Sequence, residues 1–254
     1  MNSPDQKPKM VYNRPRFTVM QYDWDVFKGP AAGEPAIDFP LTDLDGNAVR
    51  ISDFRGQWLV IETGSSTCSM YTKNISGMKQ LREQHPDVKF IIVYVREAHP
   101  GERLHQHKTF DEKINAAKTL AKKYAEDRPV LVDELGGKFH ISYGAMPNIV
   151  YVINPDGVVH YRCNWTTVDG LADALADREK IHTLEHADMD KLHASRGIWI
   201  AIRTMWTGGF LALWDFVIAL PKLAKRHKLV DDYYARHGKF KQQPGEAQKG
   251  GEDT

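Results

Sequence analysis

The stretch WLVIETGSSTCSMYTKNISGMKQLREQHP, residues 58–86, decides how this chain folds. Trp58-Leu59-Val60-Ile61 is a short apolar run between Arg55-Gly56 and Thr63-Gly64-Ser65, the pattern of a buried strand. From residue 69 to 84 apolar residues recur at Met70, Ile75, Met78 and Leu81, a helical spacing closed by His85-Pro86. A buried strand feeding straight into a helix is the repeating unit of an α/β domain. The chain beyond it keeps to that plan. Residues 88–95 (VKFIIVYV) read as a β-branched strand, and 110–125 as an amphipathic helix ended near Arg128-Pro129. Residues 130–132 are a third strand. Residues 148–153 and 158–162 flank Asn154-Pro155-Asp156-Gly157, the clearest hairpin signal, and 168–181 read as a closing helix. The expectation is an α/β fold: a mixed sheet flanked by helices, its last strand pair antiparallel.

Composition narrows the function. The 254 residues allow one or two domains, and 42% hydrophobic with 10% aromatic argues against disorder and against a polytopic membrane protein. With 34 Lys and Arg against 33 Asp and Glu, there is no basic excess, so no nucleic-acid partner is expected. Two cysteines are too few for a disulfide scaffold. The first ten residues, MNSPDQKPKM, carry no apolar stretch, which gives cytoplasmic, thiol-reducing surroundings as the expected location.

Four regions follow: an irregular N-terminal arm over 1–32, the α/β domain over 33–183, a helical extension over 184–241, and a polar, disordered tail over 242–254. Within the extension, residues 197–220 (GIWIAIRTMWTGGFLALWDFVIAL) hold three tryptophans and only Arg203 and Asp215 as charges. From Lys222 to Lys241 there are seven Lys or Arg against two Asp. The plainest reading is a pair of helices that pack on the sheet or make a homodimer contact. Peripheral attachment to a membrane is the second reading, and a true span the weakest.

Cys68 falls between the first strand and its helix. A sulfur there meets unpaired backbone N–H groups and the positive end of the helix dipole, so an activated thiolate is expected. The bland alternative is a buried, inert cysteine. Met146-Pro147 stands just before the hairpin and reads either as a cis bond in a tight turn beside the thiol or as an ordinary turn proline. If 154–157 closes the hairpin, Ile153 faces Val158 and Asn148 faces Cys163. Cys163 is then a candidate resolving thiol at the same end of the sheet, though one strand too far for an unstrained disulfide with Cα atoms within ~7 Å.

Gly33-Glu-Pro-Ala-Ile-Asp-Phe39, Asp45-Gly-Asn47, Ser52-Asp-Phe-Arg-Gly56 and Ala145-Met-Pro-Asn148 resemble the thioredoxin-like redoxin superfamily. Gly64-Ser-Ser-Thr-Cys68, Tyr94-Val-Arg-Glu-Ala-His-Pro100 and Gln106-His107 resemble the iodothyronine deiodinases, over about residues 33–180. The resemblance implies a thioredoxin-like fold and reductive removal of iodine from a phenolic ring. It implies a nucleophile at Cys68, where the family carries selenocysteine or, in some members, cysteine. Ser65 and Thr67 become supporting neighbours, with Pro147 beside them. Tyr94, Glu97 and His99 would supply protons, and His107 would belong to the substrate or relay site. Ile149 stands where the family has an arginine that grips the iodothyronine, so a weaker grip on that substrate is implied.

Elementary chemistry fits that transfer. Glu97 and His99, two apart on an extended segment, share a face, and a carboxylate beside an imidazole makes a general acid near neutrality. His99, His105 and His107 could alternatively bind a metal, but no carboxylate or thiolate is well placed to complete the set, so none is expected. No cofactor is expected beyond an external thiol reductant such as a dithiol, thioredoxin or glutathione. The expected partners are that reductant and a small aromatic substrate. Cys68-Ser-Met-Tyr71 lacks a second cysteine, which argues against a dithiol exchanger. Two alternatives stay open: a peroxiredoxin-like thiol peroxidase, which Ser65 fits and Ile61 does not, and a non-catalytic, membrane-docked thioredoxin-fold binding protein.

Overall fold

The computed structural model describes residues 12–19, 22, 28–181 and 196–237. At its centre β3 (Trp58–Gly64) lies parallel to β4 (Val88–Tyr94), and β4 lies parallel to β5 (Val130–Val132). Parallel neighbours need a crossover, supplied by α1 (Ser69–Gln84) and α2 (Phe110–Tyr124). Strands covered on both faces read as continuous apolar runs, and Val60, Ile91, Ile92 and Val93 are indeed fully buried.

On the other side of β3 the hairpin of β6 (Val150–Ile153) and β7 (Val159–Cys163) adds antiparallel strands. At the far edge stand β1 (Pro40–Asp43) and β2 (Ala48–Arg50), giving the order β2-β1-β5-β4-β3-β6-β7. The β3-α1-β4 unit followed by β6-β7 and α4 (Val168–Ala176) is a thioredoxin-like arrangement.

The sequence pattern hides β1 and β2 because they are short and only Leu41 among them is buried; their turn is held by Asp43, which accepts from Asp45 N, Asn47 N and Asn47 Nδ2. The short α3 (Lys138–Ser142) is likewise unforeseen, and α4 stops at Ala176 instead of reaching 181. The hairpin register also differs from expectation. Ile153 faces Val159 and Val150 faces Cys163, with an irregularity between Val152 and Ile153. The side chain of Asn154 takes the N–H of Val158 at 2.8 Å, which draws Val158 into the turn and displaces the pairing. Among the described residues no peptide bond is cis, so Pro147 is an ordinary turn proline.

The C-terminal extension forms two helices, α5 (Arg196–Gly208) and α6 (Phe210–His237), broken at Gly209 with φ +106. Neither is long and apolar enough to cross a membrane. They seat on the segment after β4 through glycines. A Cβ on Gly208 would lie 2.7 Å from the His99 carbonyl, and one on Gly101 would lie 2.3 Å from the Gly208 carbonyl. Glu102 then caps α6 by accepting from Phe210 N at 2.5 Å and Leu211 N at 2.9 Å. The N-terminal arm packs instead of trailing: Tyr12 Oη meets His140 Nδ1 at 2.9 Å, and Arg16 pairs with Asp215. The tail over 242–254 lies outside the described residues.

Candidate active site

β3 and β4 end side by side at Gly64 and Tyr94, and the groups of interest sit on the two loops that leave them. Gly64 has no room for a side chain, because an added Cβ would be 2.7 Å from the Tyr71 ring. The chain therefore turns tightly through Ser65–Thr67 and places Cys68 as the residue capping α1. Behind the turn, the carboxylate of Glu62 is buried against Arg128 Nη1 at 2.8 Å and Asn148 Nδ2 at 3.0 Å. Asn148 also donates to Thr63 O at 2.8 Å and accepts from Thr166 N at 3.1 Å, tying β3 to the loop after β7.

Cys68 is almost wholly buried, and its thiol is pushed up to about 12. Burial is the dominant cause, with the charges of Glu62 and Glu97 adding to it; hydrogen bonds from Tyr71 N and Met70 N oppose it and lose. This reverses the expectation of a thiolate activated by the helix N-terminus. The dipole is present, but desolvation outweighs it.

Glu97 is the hub of the polar side of the site. Its carboxyl accepts from Thr67 N at 2.9 Å, Thr67 Oγ1 at 2.5 Å, Ser66 N at 3.3 Å and the Tyr94 hydroxyl. Gln106 clamps its backbone on both sides, Oε1 accepting from Glu97 N at 3.1 Å and Nε2 donating to Glu97 O at 2.7 Å. Ser65 Oγ accepts from Ala98 N at 3.2 Å and Thr67 Oγ1 from His99 N at 2.9 Å, which fastens the two loops together. Tyr94 Oη reaches His107 Nε2 at 3.0 Å on its other side.

The result is a continuous line, Glu97–Tyr94–His107. A tyrosine hydroxyl has one proton to donate, so when it serves Glu97 the imidazole must donate to it. Burial raises Glu97 above the usual carboxylate range and lowers His107 to about 4. Burial thus shifts the two ends of the line in opposite directions, favouring the uncharged form of each.

His99 is not part of that line. The expected Glu97–His99 pair does not form. The His99 ring lies 4.2 Å from Phe17 and 5.5 Å from Phe216, centroid to centroid, and its Nδ1 has no hydrogen-bond partner among the described residues. Burial alone lowers its pKa to about 3, so it is a neutral imidazole. The apolar neighbours come from the arm and from α6, which is why the reading from sequence alone missed them.

Cys68, His99 and Pro147 share a chamber of about 600 Å³. Its walls are mostly apolar, with Phe17, Trp165, Met205, Leu213, Phe216 and Leu220 among them and Ser69, Lys73 and His227 as polar lining, and α5 and α6 form a roof over the thiol. These wall residues were not singled out from the sequence. Their signal was there: Leu213, Phe216, Leu220 and Leu223 recur at helical spacing along one face of α6.

Cys163 lies elsewhere. It is buried on β7, two strands from β3, donates to Trp165 O at 3.3 Å, and does not line the chamber. Both cysteines are unbridged. Ile149 is also no chamber residue; it is fully buried, its N–H held by Thr63 Oγ1 at 3.0 Å. Among the described residues no group of three His, Cys, Asp or Glu side chains is disposed to hold a metal ion.

Comparison with known proteins places these residues in a family context. A family model described as iodothyronine deiodinase matches residues 5–166. The thyroxine 5-deiodinase of Gallus gallus is 29% identical over 178 residues, covering 62% of this chain and 69% of that one. That of Rattus norvegicus is 28% identical over 151 residues, covering 54% and 49%, so the chain spans about half the length of this mammalian relative. Among solved structures, the thioredoxin domain of a thiol-disulfide oxidoreductase from Bacteroides vulgatus aligns with a TM-score of 0.47 and 14% identity, over 57% of this chain and 96% of that one.

Proposed function

The chain belongs to the iodothyronine deiodinase family, a family of oxidoreductases, and on that premise we propose that it removes halide reductively from an aromatic substrate through Cys68. One observation carries the reading: of the two thiols, only Cys68 opens onto an apolar chamber large enough for a ring system. At about 600 Å³ it falls within the ~300–1,000 Å³ usual for small-molecule sites.

The chemistry balances as follows. The Cys68 sulfur attacks the halogen of an aryl iodide; the carbon–iodine bond breaks, a sulfur–iodine bond forms, and the carbon keeps the electron pair and takes a proton. The thiol loses one proton in the same step, so the step is proton-neutral. An external thiol then displaces iodide from sulfur, leaving a mixed disulfide, and a second thiol restores Cys68. In sum, one aryl iodide and two thiols give the arene, iodide, a proton and a disulfide.

A thiol pushed up to about 12 does not ionise before the substrate arrives; it gives up its proton as the new bond forms. The Glu97–Tyr94–His107 line is assigned the traffic of that proton, and His99, whose Nδ1 has no hydrogen-bond partner among the described residues, the orientation of a substrate hydroxyl. Thyroid hormone itself is not required by this reading; smaller iodinated phenols suit the chamber equally.

The test supplies the reduced protein with a dithiol and a panel of aryl iodides, and measures free iodide. Release is expected from wild type, and none from Cys68→Ser, whose hydroxyl is neither acidic nor soft enough to attack iodine. Fast reduction of hydrogen peroxide with no iodide from any member of the panel would move the protein to the peroxidase reading.

A further inference from the structure

Large apolar side chains that face solvent are concentrated on one part of this molecule. Of the ten found among the described residues, eight lie on α5 and α6. Trp199 is 73% exposed, Ile218 58%, Phe210 56% and Trp214 50%. They are ordered. On α6, Phe210, Trp214, Val217, Ile218 and Pro221 recur at the spacing of one helix face, and the same line continues into exposed Lys225 and Lys228. On α5, exposed Trp199, Arg203 and Trp206 are four and three residues apart, again one face.

Over its whole length α6 carries five Lys or Arg against Asp215, Asp231 and Asp232, and the cations gather before the two terminal aspartates. Between Phe210 and Leu229 the only acidic residue is Asp215, which Arg16 holds, while Lys222, Lys225, Arg226 and Lys228 bring four cations. Aromatic and aliphatic side chains followed by lysines on one helix face are the chemistry that seats a helix in the headgroup region of a bilayer.

We propose that the outer face of α5 and α6 docks on an anionic lipid surface, with Trp199, Phe210, Trp214 and Ile218 entering the interface and Lys225 and Lys228 meeting lipid phosphates. The helices lie on the membrane and do not cross it, since neither is long and apolar enough. Charge favours lipid over a second copy of the chain: a twin face presents the same cation excess, with only Asp231 and Asp232 at its far end to meet it. The docked face is continuous with the chamber, because Val217 and Leu220 are about half exposed and also line it. A ligand dissolved in the bilayer would thus meet the chamber wall first.

The experiment uses the full chain with vesicles of phosphatidylcholine, and of phosphatidylcholine containing phosphatidylserine, at low and physiological salt. It reads co-sedimentation and tryptophan emission. Binding to the serine-containing vesicles with a blue-shifted emission is expected, weakening as salt rises. Lys225→Gln with Lys228→Gln lowers vesicle affinity by about 25-fold, from about fivefold per lysine. Trp214→Ser with Ile218→Ser lowers it by about tenfold or more. All four side chains are exposed, and circular dichroism verifies that the variants fold. Failure to bind either vesicle overturns the proposal, as does equal binding to both. A concentration-dependent dimer in sedimentation velocity that Trp214→Ser disperses also overturns it, and assigns the face to a second copy. None of these outcomes bears on iodide release from soluble substrates, so this test and that of Cys68 chemistry fail separately.

Discussion

Glu97 and His99 are two residues apart on one loop and both bond to Thr67, yet their side chains stand in different surroundings on either side of Cys68. On the sheet side, the Glu97 carboxyl is met by four donors and joined through Tyr94 to His107. On the helix side, the His99 ring touches phenylalanines and its Nδ1 meets no partner among the described residues. Both sides are dry, so both shift the groups they hold, but in ways suited to different work. A buried carboxyl with satisfied oxygens can exchange a proton along a fixed line. A buried neutral imidazole in a mostly apolar chamber is a polar point against which a ring can be oriented, beside Ser69, Lys73 and His227 of the same lining. The thiol between them is raised by the burial it shares with each.

Perturbing the sheet side gives the largest effects. Glu97→Gln keeps the volume and removes the proton-exchanging group, and Tyr94→Phe cuts the line to His107; each is expected to lower kcat for iodide release by ~10²–10⁴, the range for lost acid–base assistance. An unchanged kcat in both would break the contrast between the two sides.

The thiol itself comes next. With Cys68 at about 12 against an ordinary cysteine at ~8.5, its thiolate fraction near neutrality is smaller by about 10³. Alkylation by iodoacetamide should therefore be slow at pH 7 and rise tenfold per pH unit through pH 10. Glu97→Gln removes a negative charge that raises the thiol and should shift this profile toward lower pH. A midpoint below that of free cysteine would restore the helix-dipole view of the site.

On the helix side, Phe216→Ala is expected to raise KM by about tenfold, near the low end of the ~1.5–3 kcal/mol for full burial because Phe216 is partly buried, while kcat changes little. A fall in kcat with KM unchanged would mean that the roof takes part in chemistry.

A separate effect is on stability. The folded-state pKa of His99 is lowered to about 3, so in the native protein the ring stays neutral while the unfolded chain takes up a proton below about 6.5. Its contribution is thus present above pH 6.5 and is lost as pH falls toward 3, at about 1.4 kcal/mol per pH unit. In urea titrations between pH 6.5 and 4, His99→Leu should gain on wild type by that slope as the solution is acidified. Parallel pH profiles would show that the imidazole is solvated.

The sheet core was legible because strands covered on both faces must be apolar throughout, and VKFIIVYV and WLVI leave no second reading. The crossover helices α1 and α2 were legible from apolar periodicity and from the His85-Pro86 and Arg128-Pro129 breaks that close them. Position also made Cys68 legible. Hidden were the features that depend on partners far away in sequence. Phe17 against His99 and the cap that Glu102 places on α6 join segments that no local spacing relates.

The residues by themselves determined the α/β plan, the strand-to-helix seat of Cys68, and the helical character of 196–237, because periodicity, caps and burial patterns are local properties. Tertiary structure decided the rest: that Glu97 turns to Tyr94 and Thr67 and not to His99, and that α5 and α6 close an apolar chamber over the thiol. It also decided that this thiol holds its proton. The charge state of a buried group is set by how completely water is removed from every direction around it, and that is known only once all the surrounding segments have met.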